Sequence, residues 1–78
     1  MPHIIVKLWA GKTEAQKKKL TEELTKTAMS VIGYSAGSFS VAIEDFEPKD
    51  WKEKVFIPDI LNQQDKLYKK PEYSINDL

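Results

Sequence analysis

Residues 1–12 read MPHIIVKLWAGK, and this stretch decides the fold. From His3 to Ala10 most residues are β-branched, aromatic or otherwise apolar, which favours an extended strand. Alternation puts Ile4, Val6, Leu8 and Ala10 on one face and His3, Ile5, Lys7 and Trp9 on the other. The first face is wholly apolar and the second is mixed, so one side of the strand calls for cover. Gly11 ends the strand or permits an unusual dihedral. The proline behind Met1 is either an inert end residue or a group whose nitrogen has a purpose.

Working outward, Thr13 and Gln16 have the spacing of a capping box, with Glu14 in the first turn. The pattern predicts a helix from Glu14 to about Ile32. Leu20, Leu24, Ala28 and Val31 form its apolar stripe, and Lys17, Lys18, Lys19, Glu22, Glu23 and Lys26 form a solvated face. Residues 33–37, GYSAG, break the helix. A second strand follows in SFSVAIED, with Phe39, Val41 and Ile43 on one face and Ser38, Ser40, Ala42 and Glu44 on the other. Strand, helix and strand make a βαβ unit with parallel strands and the helix on the all-apolar face. Short helices are expected beyond it, one starting at Pro48 and burying Trp51, Val55 and Phe56, another starting at Pro58. The fold class is α/β, and residues 1–78 are expected to form a single domain. Both strands are sheet edges, and exposed edges invite pairing. A second copy joined edge to edge would extend the sheet to four strands.

Composition narrows the function. The formal net charge is zero and every one of the 12 basic residues is a lysine. Without arginine, bidentate readout of bases or phosphates is unattainable, so nucleic acid is not an expected partner. There is no cysteine, which excludes disulfides, thiolate nucleophiles and thiolate metal sites. No stretch approaches the roughly 18 apolar residues of a membrane span, and no charged leader precedes an apolar segment, so a cytoplasmic protein with no membrane association is expected. His3 is the sole histidine and has no second histidine to join it at a metal; a structural or surface role is expected for it. Asp45 and Glu47 read as turn carboxylates. No metal site is expected, and the serines lack a plausible acid relay for acyl transfer.

Pro2 is what remains. If Met1 is removed, as the small following residue favours, its nitrogen becomes a free secondary amine. Burial and neighbouring lysines would lower the pKa of such an amine toward neutrality and let it carry a proton. If Met1 is retained, the nitrogen is an amide and that chemistry is lost.

The succession MPHIIVKLWAGK, TEAQKKKLTEELT and SFSVAIEDF resembles the 4-oxalocrotonate tautomerase family over residues 1–46. The ending, DWKEKV followed by LYKKPEYS, is similar to the family's longer dimeric members, which tautomerise phenylpyruvate. The resemblance implies a cofactor-independent isomerase that interconverts enol and keto forms of a small 2-keto acid, with Pro2 as the base. It also implies a homodimer, or the hexamer of the shortest members. A family arginine that grips the substrate carboxylate falls on Lys12, which keeps the charge but loses the planar fork. A second arginine falls near Ser40, a departure that fits the longer members and argues against a dicarboxylate. Trp51 is the candidate aromatic wall of the pocket, with core packing as its other explanation. The competing class is a non-catalytic βαβ interaction module that self-associates and has lost its chemistry.

Overall fold

The computed structural model describes residues 1–78. Strand β1 spans His3–Trp9, helix α1 spans Glu14–Ile32 and strand β2 spans Ser40–Phe46. The two strands form a two-stranded sheet. Cross-strand contacts fix the register: His3 meets Ser40 and Lys7 meets Glu44, both 37 positions apart. A constant difference means that the strands run the same way, as a crossover through a long helix requires. β1 ends one residue before the expected Ala10, and β2 begins at Ser40 because Ala36–Ser38 forms a short 3₁₀ turn.

The expected helix boundaries are observed. Thr13 Oγ1 accepts the Gln16 backbone N–H at 3.1 Å, and Gln16 Oε1 accepts the Thr13 N–H at 2.9 Å, completing the capping box. At the other end Gly33 adopts φ 85°, and its N–H donates to the Met29 carbonyl at 3.0 Å. That left-handed conformation is the usual glycine stop signal. Beyond it, Tyr34 packs edge-to-face on Phe39.

On the sheet face predicted to be covered, Ile4, Val6, Leu8, Phe39, Val41 and Ile43 are all half-buried, while Ile5 and Trp9 on the other face are exposed. Leu8 shares a cleft with Leu20, and Ile43 shares another with Thr21. The helix therefore lies over the apolar face. Within its stripe Leu20, Leu24 and Ala28 are half-buried, but Val31 is exposed. Val31 sits in the last turn, so the stripe ends one turn before the helix does.

The chain divides into two compact units, Met1–Asp45 and Phe46–Leu78. In the second, Pro48–Asp50 forms a 3₁₀ turn, Lys52–Ile60 a π-helix and Leu61–Lys66 a 3₁₀ segment broken at Gln63. The expectation that Pro58 starts a helix is corrected: Pro58 lies inside the π-helix. In a regular α-helix a proline ring clashes with the carbonyl four residues back and removes one bond. The wider π-turn, whose bonds run over five residues, relieves that crowding. Val55 and Phe56, 3% and 5% exposed, are the only fully buried residues of the chain. Tyr73 packs at a tilt of 43° against Phe56 with ring centroids 5.5 Å apart, whereas Tyr68 is fully exposed. No helix is long and apolar enough to cross a membrane.

A Cβ added to Gly33 would meet nothing within 4 Å, so its replacement tests the backbone alone. Gly33→Ala is expected to cost about 1 kcal/mol in urea denaturation, and loss of the Thr13 cap in Thr13→Ala a similar amount. An unchanged midpoint in both would mean that α1 contributes little to the cooperative unit.

Candidate active site

Pro2 stands just ahead of β1. It is half-buried, and its carbonyl accepts the Ser40 N–H at 3.2 Å. The residue before it, Met1, is 96% exposed and so open to removal. Next along the strand, His3 Nδ1 lies 2.6 Å from Ser40 Oγ. One residue of β2 thus holds both Pro2 and His3, through its backbone and through its side chain.

Lys12 lies beyond the opposite end of β1. Gly11, at φ 122°, turns the chain out of the strand. Lys12 then lines a cleft of about 150 Å³ with Leu8, Gln16, Lys17 and Leu20. At the rise of an extended chain, the 7 residues of β1 hold its two ends about 20 Å apart. Pro2 and Lys12 are therefore not brought together within one chain. Trp51 belongs to the second unit. Its indole N–H donates to Tyr73 Oη at 3.0 Å, and its ring packs edge-to-face on Phe46 at 6.2 Å. The packing role foreseen for Trp51 is thus present.

Two contacts were not foreseen. Lys17, assigned to the solvated face, has a side chain only 18% exposed and is hydrogen-bonded to Asp45. Asp45, assigned to a turn, is the penultimate residue of β2. Glu14 adds a second carboxylate 3.6 Å from the Lys17 ammonium. The pair ties the first turns of α1 to the end of β2 and so braces the loop that carries Lys12. Neither partner is marked by periodicity, because an ion pair between elements depends on how those elements pack. The second contact is the His3–Ser40 pair; its cross-strand placement follows only once the register is known. No group of three or more histidine, cysteine, aspartate or glutamate side chains is arranged to hold a metal.

These features define a βαβ unit that presents a proline at the head of its first strand and a lysine beyond that strand's far end. Residues 2–53 match the family model described as tautomerase enzyme. The chain is 41% identical over 73 residues to a probable tautomerase of Xylella fastidiosa, covering 94% of this chain and 89% of that protein. It is 40% identical over 75 residues to tautomerase PptA of Pectobacterium carotovorum, covering 95% of this chain and 99% of that one. Among solved structures, it is similar to TomN, a 4-oxalocrotonate tautomerase homologue of the tomaymycin biosynthetic pathway. That match has a TM-score of 0.63 and 30% identity, over 64% of this chain and 77% of the other. The chain belongs to the tautomerase family, with the βαβ fold of 4-oxalocrotonate tautomerase homologues, and is an enzyme of the cofactor-independent tautomerase kind.

The hydrogen bond to Asp45 is the main cause of a Lys17 pKa above the ordinary 10.5; partial burial opposes it, and the charges of Asp45 and Glu14 reinforce it. A raised folded value means that the native state holds this proton more tightly than the unfolded chain does. The pair's contribution is therefore fully present below the unfolded value and is lost as pH rises through the folded one. Asp45→Asn should accordingly be less stable than wild type at about pH 8, with the gap closing only as pH rises beyond the ordinary lysine value of 10.5. Denaturation on both sides of that value checks this, and a gap independent of pH contradicts the assignment.

Proposed function

We propose that the mature chain interconverts the enol and keto forms of a small 2-keto acid, with the Pro2 amine as the proton carrier. Phenylpyruvate is the first substrate to test. The observation that carries this is the anchored start of β1, where a half-buried Pro2 follows an exposed Met1. Once Met1 is gone, Pro2 is a secondary amine, more basic in water than a primary α-amine of pKa about 8. Partial burial disfavours its cation and brings that value toward neutrality. The neutral amine takes the enol hydroxyl proton, and its conjugate acid returns a proton to carbon. The reverse direction uses the same group at the same two atoms.

Lys12 is proposed to hold the substrate carboxylate, as a compact point charge rather than a fork. The length of β1 keeps it from Pro2 of its own chain, so the grip is proposed to come from a second copy. An antiparallel β1–β1 pairing would bring the head of one strand beside the tail of the other. The same pairing would give a dimer with a four-stranded sheet and remove two exposed edges. On the uncovered sheet face, the His3–Ser40 and Lys7–Glu44 pairs set polar groups beside Ile5 and Trp9. That mixture suits a dimer better than the face-stacked hexamer. Trp51 is proposed to bound the substrate ring; with its N–H engaged by Tyr73, it has an aromatic face to offer. Residues 1–78 are taken as one functional domain. A cytoplasmic location belongs to the same proposal, since a chain without cysteine needs no oxidising compartment.

Three forms decide the role of Pro2 in a spectroscopic assay on phenylpyruvate, after mass spectrometry of the N-terminus. Met1-free wild type is expected to be fastest, Pro2→Ala slower because its primary amine is a less confined base, and Met1-retained protein inactive. Equal rates with and without Met1 contradict the mechanism. Lys12→Ala is expected to lower kcat/KM by about 10- to 100-fold, the loss of one charge-assisted hydrogen bond. An unchanged kcat/KM removes Lys12 from the site. Light scattering at micromolar concentration is expected to give a dimer; a monomer rejects the shared site.

A further inference from the structure

The tautomerase reading assigns work to the Pro2 nitrogen but leaves open what aims it. We propose that Ser40 is a positioning residue for the Pro2 amine, acting through the Pro2 carbonyl and the His3 imidazole. This rests on the reading of Pro2 as the proton carrier.

The reason is torsional. The pyrrolidine ring fixes the nitrogen relative to its own Cα. The remaining torsion that swings the amine relative to the strand is ψ of Pro2. That angle is set by where the Pro2 carbonyl points, and it points at the Ser40 N–H, 3.2 Å away. Chain ends fray unless they are tied down, and a single long hydrogen bond at the terminus is a weak tie. The second tie is the 2.6 Å contact between Ser40 Oγ and His3 Nδ1. It holds the residue immediately after Pro2 to the same residue of β2, so the Pro2–His3 peptide plane is fixed from both ends.

The imidazole is not placed to touch what the amine touches. Successive residues of a strand point to opposite faces, so the His3 side chain lies on the uncovered face and acts on Pro2 only through the backbone. The charged groups on that face are Lys7 and Glu44, paired at 4.0 Å two strand repeats further along. Ser40 and His3 are both exposed, so the expected effect is that of an ordinary hydrogen bond. A site that must hold reacting groups within tenths of an ångström is sensitive to such a tie.

The test compares Ser40→Ala, Ser40→Thr, His3→Phe and the double variant Ser40→Ala/His3→Phe, all with Met1 removed. Ser40→Ala keeps the backbone donor and loses the hydroxyl. Its kcat is expected to fall about threefold to tenfold with KM little changed, as for a contact realised in the transition state. Ser40→Thr, which restores the hydroxyl, should recover the rate. The double variant should be no slower than Ser40→Ala, because the hydroxyl acts only through His3. The titration midpoint of the Pro2 amine, followed by ¹⁵N NMR, should move in Ser40→Ala and in His3→Phe and return in Ser40→Thr. Unchanged kcat with an unchanged amine titration overturns the proposal. So does a raised KM at constant kcat, which would make Ser40 a substrate contact, or a double loss equal to the product of the single ones. A Met1-free wild type without any rate would contradict the tautomerase reading by itself. The amine titration would then still decide whether Ser40 positions Pro2.

Discussion

The extended length of β1 governs this molecule. The seven residues of β1 set its proline head and its lysine-bearing tail about 20 Å apart. Any small substrate held by both must therefore lie where the head of one strand approaches the tail of another. The burial pattern leads to the same requirement. No residue of Met1–Asp45 is fully buried, and the two residues that are belong to the second unit. A βαβ unit with so thin an interior gains stability by covering its edges, and a chain this short has few other means. Assembly of the site and assembly of the fold are proposed to be one event, pairing along β1.

Electrostatics shape what such a site accepts. With lysine as its sole strong cation, the proposed grip on a carboxylate works by charge and reach rather than by planar geometry. The rigidity that Lys12 lacks is provided by its surroundings: Gly11 turns the backbone, the capping box fixes the first turn of α1, and the Lys17–Asp45 pair fastens that turn to β2. At the other end, the pyrrolidine ring leaves the Pro2 nitrogen, the proposed proton carrier, one loose torsion. Both ends of β1 thus hold the proposed site residue, Pro2 or Lys12, on a short, braced segment.

Much of this was legible in the sequence, for physical reasons that differ by element. The strand and helix of the first unit announce themselves through period and caps. The alternation in HIIVKLW, the Thr13–Gln16 box and the glycine at 33 are local signals, and local bonds satisfy them. Val31 was misplaced because periodicity does not say where the neighbouring sheet ends. Pro58 was misread as a helix start because proline rules assume α-geometry, and the wider turn of Lys52–Ile60 tolerates the ring. Of the proposed site residues, Pro2 and Lys12 could be named from order and resemblance, and the observed span of β1 sets the distance between them. Lys17, Asp45 and the His3–Ser40 pair could not be found beforehand. Their partners are 28 and 37 positions away, and nothing in the intervening sequence encodes those encounters except the packing itself.

The claim on which the account turns is that Pro2 and Lys12 of one site come from two chains. Subunit complementation tests it most directly. Met1-retained protein, which lacks the amine, is mixed with Met1-free Lys12→Ala, and the two are unfolded and refolded together. A dimer with shared sites predicts that activity rises well above that of either parent, to about a quarter of the wild-type level, because half of the dimers are mixed and each mixed dimer has one intact site. Activity no greater than the average of the two parents would contradict the account and return both residues to a single chain.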